Sequence, residues 1–238
     1  MFLILILVKA MTNILMIIDK NISSMFGASR RFAFVPSKIW SELDQYKNNP
    51  FSLQLYTQRK FGARTTFKES AAKYIEYPAV AGEYDPYDDE IILEVQVSRD
   101  QFSRYAFPEG SWEKFKFAFM QTLMHEMVHY RQWKYERAIW DATVSHEAHA
   151  NTVKNDNRQY MASRNEIQAY AHCAWLELKS NYKNFDMRKL ESVKRKVRSD
   201  AIRRYMRAFN LTDMSHPVTQ ILIEEIRAWD QKYKLKLS

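Results

Sequence analysis

SWEKFKFAFMQTLMHEMVHYRQWKYERA, residues 111–138, runs for seven turns without a Gly or a Pro. Ser111 is a candidate N-cap, Glu113 adds negative charge to the first turn, and basic residues gather towards the end, as the helix dipole favours. The stretch therefore predicts one long helix. Phe117, Met120, Leu123, Met127 and Tyr130 recur at steps of three and four and define its core face. Phe119, Met124 and Val128 widen that face, so the helix is expected to be buried. His125 and His129 fall roughly opposite the core face, above the small residues Ala118 and Thr122, on a strip that would face a cleft.

Within this helix, His125, Glu126 and His129 form the pentapeptide HEMVH. At 3.6 residues per turn, positions four apart lie one above the other, so two imidazoles can reach a single metal ion. Glu126 is rotated by about 100° from His125, too far round for a third ligand. It is well placed to take a proton from a metal-activated water. With six His in 238 residues, HExxH would arise by chance on the order of once in a hundred such chains, so the helical context is what gives the motif weight.

Catalytic zinc takes three protein ligands and leaves one position for water, so the motif needs a partner. The metzincin continuation requires Gly three residues and His six residues after the second His, but Gln132 and Tyr135 stand there. Two sources remain. His146 or His149, in the run SHEAHA, could complete a three-histidine site. Glu166, in RNEIQAYAHCAW, is preferred: residues 163–179 read as a helix, with Ala169, Tyr170, Cys173 and Leu176 spaced for packing. A Glu near the start of a buried helix can point at a metal held by a neighbouring helix.

HEMVH followed by NEIQAYA resembles the gluzincin metallopeptidases, in which the two His of HExxH combine with the Glu of a later N-E-x-x-A/S helix. The resemblance covers residues 111–175. Carried over by position, it implies His125, His129 and Glu166 as ligands of a zinc ion and Glu126 as general base. Asn165 and Ala169 match the residues flanking the third ligand, and the short Ala169 would let the two helices approach closely. The SprT-like proteases are the second resemblance, with a third His inside a Gly-His-Gly element. Here Ala148 and Ala150 flank His149 where those glycines would stand.

The remaining composition sets bounds. A length of 238 residues with 46% hydrophobic and 14% aromatic residues argues for a folded chain. The four Gly all lie at or before Gly110, and no phosphate-cradling loop motif is present, which argues against nucleotide chemistry. Cys173 is the sole cysteine, so an intrachain disulfide is impossible and a reducing, cytoplasmic setting is expected. Residues 1–30 form an apolar N-terminal segment, read as an extended start; an anchor or a signal at residues 1–18 stays open, because the apolar run is short and broken by Lys9, Thr12 and Asn13.

A metallopeptidase domain is expected over 31–182 and a basic helical C-terminal extension over 183–238. In the first, a helix is predicted from Pro36 to Tyr46, with strands at 52–57, 73–76 and 90–98. The last, EIILEVQVS, follows the turn-rich DPYDD, and its edge could pair with an extended substrate. Residues 188–207 carry nine basic against two acidic side chains, a net +7 of the chain's formal +8. Leu190, Val193, Val197, Ala201 and Ala208 keep helical spacing beneath them. That surface could meet nucleic acid or another acidic partner. A last helix is expected from about Ser215 through Trp229.

The architecture expected is therefore α+β: a small sheet packed on the HExxH helix and a Glu-bearing helix, with the helical extension. The activity expected is zinc-dependent hydrolysis of a polypeptide substrate, with oxyanion donors sought among Tyr160, Tyr170, His149 and His172. The alternative is a nucleic-acid-associated protein whose metal site is structural or vestigial, or an SprT-like DNA-associated protease.

Overall fold

A computed structural model of the chain describes residues 2–22, 34–61, 63–70, 78–98, 110–138, 157–182, 190, 199–209 and 216–234. The fold is α+β, a small sheet among helices. It forms two compact units, residues 1–130 and 131–238. The boundary falls inside the HExxH helix, whereas the segments expected from sequence end at 30 and 182.

In the first unit, α1 (Phe2–Asp19) packs on α2 (Pro36–Glu42). Met11, Ile14, Leu15 and Ile18 recur at helical spacing and are buried, so the later half of the apolar segment belongs to this core. The Asp19 carboxylate accepts the Ser37 backbone N–H at 3.1 Å, satisfying a donor that the start of α2 leaves open. Pro36 opens α2, where its missing N–H costs nothing. Among the described residues, no helix is long and apolar enough to cross a membrane.

Short 3₁₀ turns at Leu43–Tyr46 and Pro50–Ser52 lead into α3 (Leu53–Phe61). The expected strand at 52–57 is thus a helix. Among its described side chains, Leu53, Tyr56 and Thr57 are buried, a spacing of three and four, while Leu55 is exposed. The helical period prevails over the apparent alternation of SLQLYT. The expected strand at 73–76 lies outside the described residues.

Three strands follow: β1 (Ala63–Glu69), β2 (Ala79–Asp85) and β3 (Glu90–Val97). Their order is β1-β3-β2, with β3 parallel to β1 and antiparallel to β2. β3 forms where a strand is expected, and its burial alternates, with Ile91, Leu93, Val95 and Val97 buried. Each such side chain contributes about 1.5–3 kcal/mol on leaving water. The β2–β3 turn is held by Asp85, whose carboxylate accepts the N–H groups of Tyr87 at 2.8 Å and Asp88 at 3.2 Å, and Asp89 takes the left-handed conformation at φ 50°. Because β3 is hydrogen-bonded on both sides, it cannot offer an edge to a substrate as expected from sequence. The sheet's edges among the described residues are β1 and β2.

α4 (Ser111–Tyr135) is the HExxH helix, introduced by Gly110 at φ 75°. Met120, Leu123, Met127 and Tyr130 are buried as anticipated, together with Phe119, Met124 and Val128; Phe117 is only half-buried. Near its start Lys116 is buried, donating to Asp44 at 2.8 Å with Glu113 at 3.5 Å and the Trp40 ring centroid at 4.5 Å. Trp112 donates to the same Asp44 carboxylate oxygen at 3.2 Å. Burial raises the Glu113 carboxyl above its ordinary range, opposed by the Lys116 charge.

The second unit holds the last turn of α4 with α5 (Asn157–Ala162), α6 (Arg164–Asn181), α7 (Asp200–Ala208) and α8 (Pro217–Lys234). α6 packs on α8 and on α7. Trp175 stacks on Tyr233 at 4.2 Å and donates to Asp230 at 3.1 Å, while Lys179 reaches the same carboxylate at 2.8 Å. Buried Glu177 accepts the Ala201 N–H at 3.2 Å and Ser199 accepts that of Ile202 at 3.1 Å, so the start of α7 is capped from two sides. Of the expected basic helix 188–207, Leu190 and α7 with its cap are described; Lys194, Arg195, Lys196 and Arg198 lie outside.

The buried ammonium of Lys116 generates a stability prediction. Asp44→Ala leaves that charge with a weaker set of partners and is expected to cost about 1–2 kcal/mol, discounted because Asp44 is half exposed. Lys116→Met, which removes the charge but keeps the packed stem, is expected to cost less in the same urea titration. A larger loss for Lys116→Met would show that the ion pair does not hold this corner.

Candidate metal centre

One helical repeat places the first two candidate ligands. In α4 the Nε2 atoms of His125 and His129 stand 3.1 Å apart, with ring centroids 4.8 Å apart at 79°. Two nitrogens at about 2.0–2.1 Å from one zinc at a tetrahedral angle would be separated by about 3.4 Å, so the imidazoles already converge on a common point. His129 is buried and His125 half-buried.

Glu166 belongs to the first turn of α6, whose start is built locally. Ser163 is the N-cap residue; its hydroxyl donates to the Tyr160 carbonyl at 2.6 Å, and it lies 2.7 Å from the Asn165 Oδ1. The same Asn165 oxygen accepts the Glu166 N–H at 2.8 Å. Gln132, fully buried near the end of α4, donates to the Asn165 carbonyl at 3.1 Å and to Gln168 Oε1 at 3.0 Å. A buried amide with two acceptors is strongly directional, so this contact sets where the first turn of α6 begins relative to Gln132. Ala169 is fully buried.

Among the described residues, His125, His129 and Glu166 form a group able to hold a metal: one ligand atom from each lies within 4.8 Å of the others. Two imidazole nitrogens and a carboxylate oxygen match the donor preferences of zinc and leave a coordination position open. His146 and His149, the other third-ligand candidates, lie outside the described residues.

Glu126 is buried on the adjoining face of α4. Its side chain lies against β2: a Cβ added at Gly82 would stand 2.6 Å from Glu126 Oε1, 2.8 Å from its Cγ and 2.6 Å from Thr122 Cγ2. Thr122, one turn earlier, donates to the Val80 carbonyl at 3.4 Å. Tyr84 and Tyr130 meet edge to face at 5.7 Å, fixing the other end of the strand. Edge strand β2 thus rests on the stripe of α4 that carries the carboxylate.

Three of the four candidate oxyanion donors fall among the described residues. His172 is fully buried in the helical unit, with Nε2 2.7 Å from the Tyr233 hydroxyl and its ring against Trp229. It is a core histidine. Tyr160 is exposed on α5, and His149 is outside the described residues. Tyr170 lies one turn beyond Glu166 on α6, and its hydroxyl accepts from Arg204 at 2.6 Å. Burial raises the Tyr170 hydroxyl above its ordinary pKa, opposed by the Arg204 charge and reinforced by the Glu166 carboxylate. Tyr205 is raised in the same direction by burial, again with Glu166 contributing, and its ring meets that of Tyr170 at 5.5 Å.

Sequence reasoning missed three participants. Arg204 reads as part of a basic surface but is held on Tyr170. Gln132 reads only as the absence of a metzincin glycine, and Gly82 stood outside any expected strand. Of these, Gln132 alone left a usable signal, an amide on the strip that continues from His125 and His129. Comparison with protein-family models, with curated proteins and with solved structures finds no match to this chain.

Proposed function

We propose that this protein is a zinc-dependent peptidase of gluzincin type, with His125, His129 and Glu166 as the metal ligands. What carries the reading is the convergence of three ligand atoms within 4.8 Å, with buried Glu126 on the adjoining helix face. The donor set suits zinc, and a carboxylate kept out of the ligand set is what water activation requires. Bound there, zinc would polarise the scissile carbonyl and lower the pKa of a neighbouring water.

The chain's own residues supply the proton path. Glu126 accepts a proton as the water oxygen attacks the carbonyl carbon. It then delivers that proton to the amide nitrogen as the C–N bond breaks, leaving a free carboxylate and amine. An extended polypeptide would run along the outer edge of β2, since that strand lies beside Glu126 and β3 has no free edge. The rival reading, a structural metal site in a binding protein, has no need of an acid–base group beside the metal.

Zinc content and cleavage of an unstructured protein distinguish the two. Wild type is expected to hold about one zinc per chain and to hydrolyse peptide bonds; Glu126→Gln is expected to keep the zinc and lose at least about 100-fold in rate. Zinc binding with equal or absent hydrolysis in both proteins would assign the site a structural role. A wild type that is folded but binds no zinc would end the proposal.

Glu166→Ala is expected to release zinc without unfolding, as followed by metal analysis and circular dichroism. Retention of tight binding would return the choice to His146 or His149. Gln132→Ala, which frees the start of α6, is expected to weaken zinc affinity about 10–100-fold, measured by chelator competition.

A further inference from the structure

We propose that Gly82 is a positioning residue for Glu126. The inference rests on the hydrolase reading for its catalytic meaning, but its physical content is a contact within the first unit. Gly82 does not carry a positive φ, so its backbone would suit most residues; the constraint is space. Any side chain there would begin 2.6 Å from Glu126 Oε1 and 2.6 Å from Thr122 Cγ2, closer than carbon atoms approach such neighbours. Thr122 is tied to the Val80 carbonyl at 3.4 Å, so the crowding falls on the buried Glu126 side chain, which must turn to relieve it.

The absence of a Cβ therefore lets a strand backbone form one wall of the pocket that holds the base. That wall is rigid for a reason visible in the sheet. Gly82 is paired in register with Leu93 of the central strand, and Leu93 is fully buried. The carboxylate is thus confined between its own helix and a hydrogen-bonded ladder. A methyl at position 82 would turn the Glu126 side chain away from that wall while leaving both imidazoles where they are. The consequence is a defect in proton transfer without a defect in metal binding.

The experiment combines kinetics with a stability cycle. Gly82→Ala is expected to retain about one zinc per chain and to change KM less than about threefold, while kcat falls about 10–100-fold. Thr122→Ser removes the other crowded carbon, and Gly82→Ala/Thr122→Ser is expected to recover part of the lost kcat. In urea denaturation, Gly82→Ala is expected to lower the midpoint of the wild type. It should leave the midpoint unchanged or raised when introduced into Glu126→Ala/Thr122→Ala, where the space is empty. Because that cycle needs no activity, it decides the contact even if the protein proves not to be a peptidase. Equal midpoint shifts in the two backgrounds would overturn the proposal. So would a Gly82→Ala protein with kcat within twofold of wild type, or one whose zinc is lost.

Discussion

The helical repeat of α4 is the constraint on which the site depends. At about 100° per residue, His125 and His129 superpose, and so do Thr122 and Glu126, on the next stripe round. The first pair converges to 3.1 Å between ring nitrogens. The second pair forms the seat on which β2 rests. Gln132, three residues beyond His129, continues the first stripe and donates to the start of the helix that bears Glu166. The two candidate histidine ligands, the proposed base, the strand seat and the helix anchor are thus fixed by one register. Shifting α4 by a single residue would rotate all of them out of place together.

Such a helix must bury polar groups that would rather be hydrated. Glu126, His129, Gln132 and Lys116 are all buried on α4, and an unmet polar group of this kind costs about 1–3 kcal/mol. Three of them receive visibly different remedies. Lys116 has a carboxylate and an indole ring, and Gln132 has two oxygen acceptors. His129 has the neighbouring imidazole. The apolar stripe of Met120, Leu123, Met127 and Tyr130 supplies the stability against which these costs are set. This division explains why the helix is so apolar on its other faces.

Much of this was legible in the sequence, where the relevant period was local. The long helix followed from the spacing of its apolar residues and the lack of Gly or Pro, and β3 followed from its β-branched residues after the turn-rich DPYDD. The helix that bears Glu166 was legible from the packing spacing of Ala169, Tyr170, Cys173 and Leu176. What escaped depended on distant partners. Leu53, Tyr56 and Thr57 admit both periods until burial selects the helical one. β2 contains Gly82 and Glu83, poor strand formers alone, and exists because β3 pairs with it along its whole length. Arg204 carries no local mark of its attachment to Tyr170. The expected pairing edge on β3 failed for the same reason, since strand order is a property of the whole sheet.

The composition of β2 then acquires a reason. An edge strand that is long, flat and apolar invites unselective pairing with other chains. β2 has seven residues, exposes Ala79, Ala81, Gly82 and Glu83, and buries only Tyr84. With so little side chain on its open part, the strand offers mainly backbone donors and acceptors, and the Glu126 side chain lies against it at Gly82. A strand richer in Val or Ile would pair more strongly but would present a Cβ at position 82. The glycine that weakens the strand is the residue that allows the carboxylate beside it.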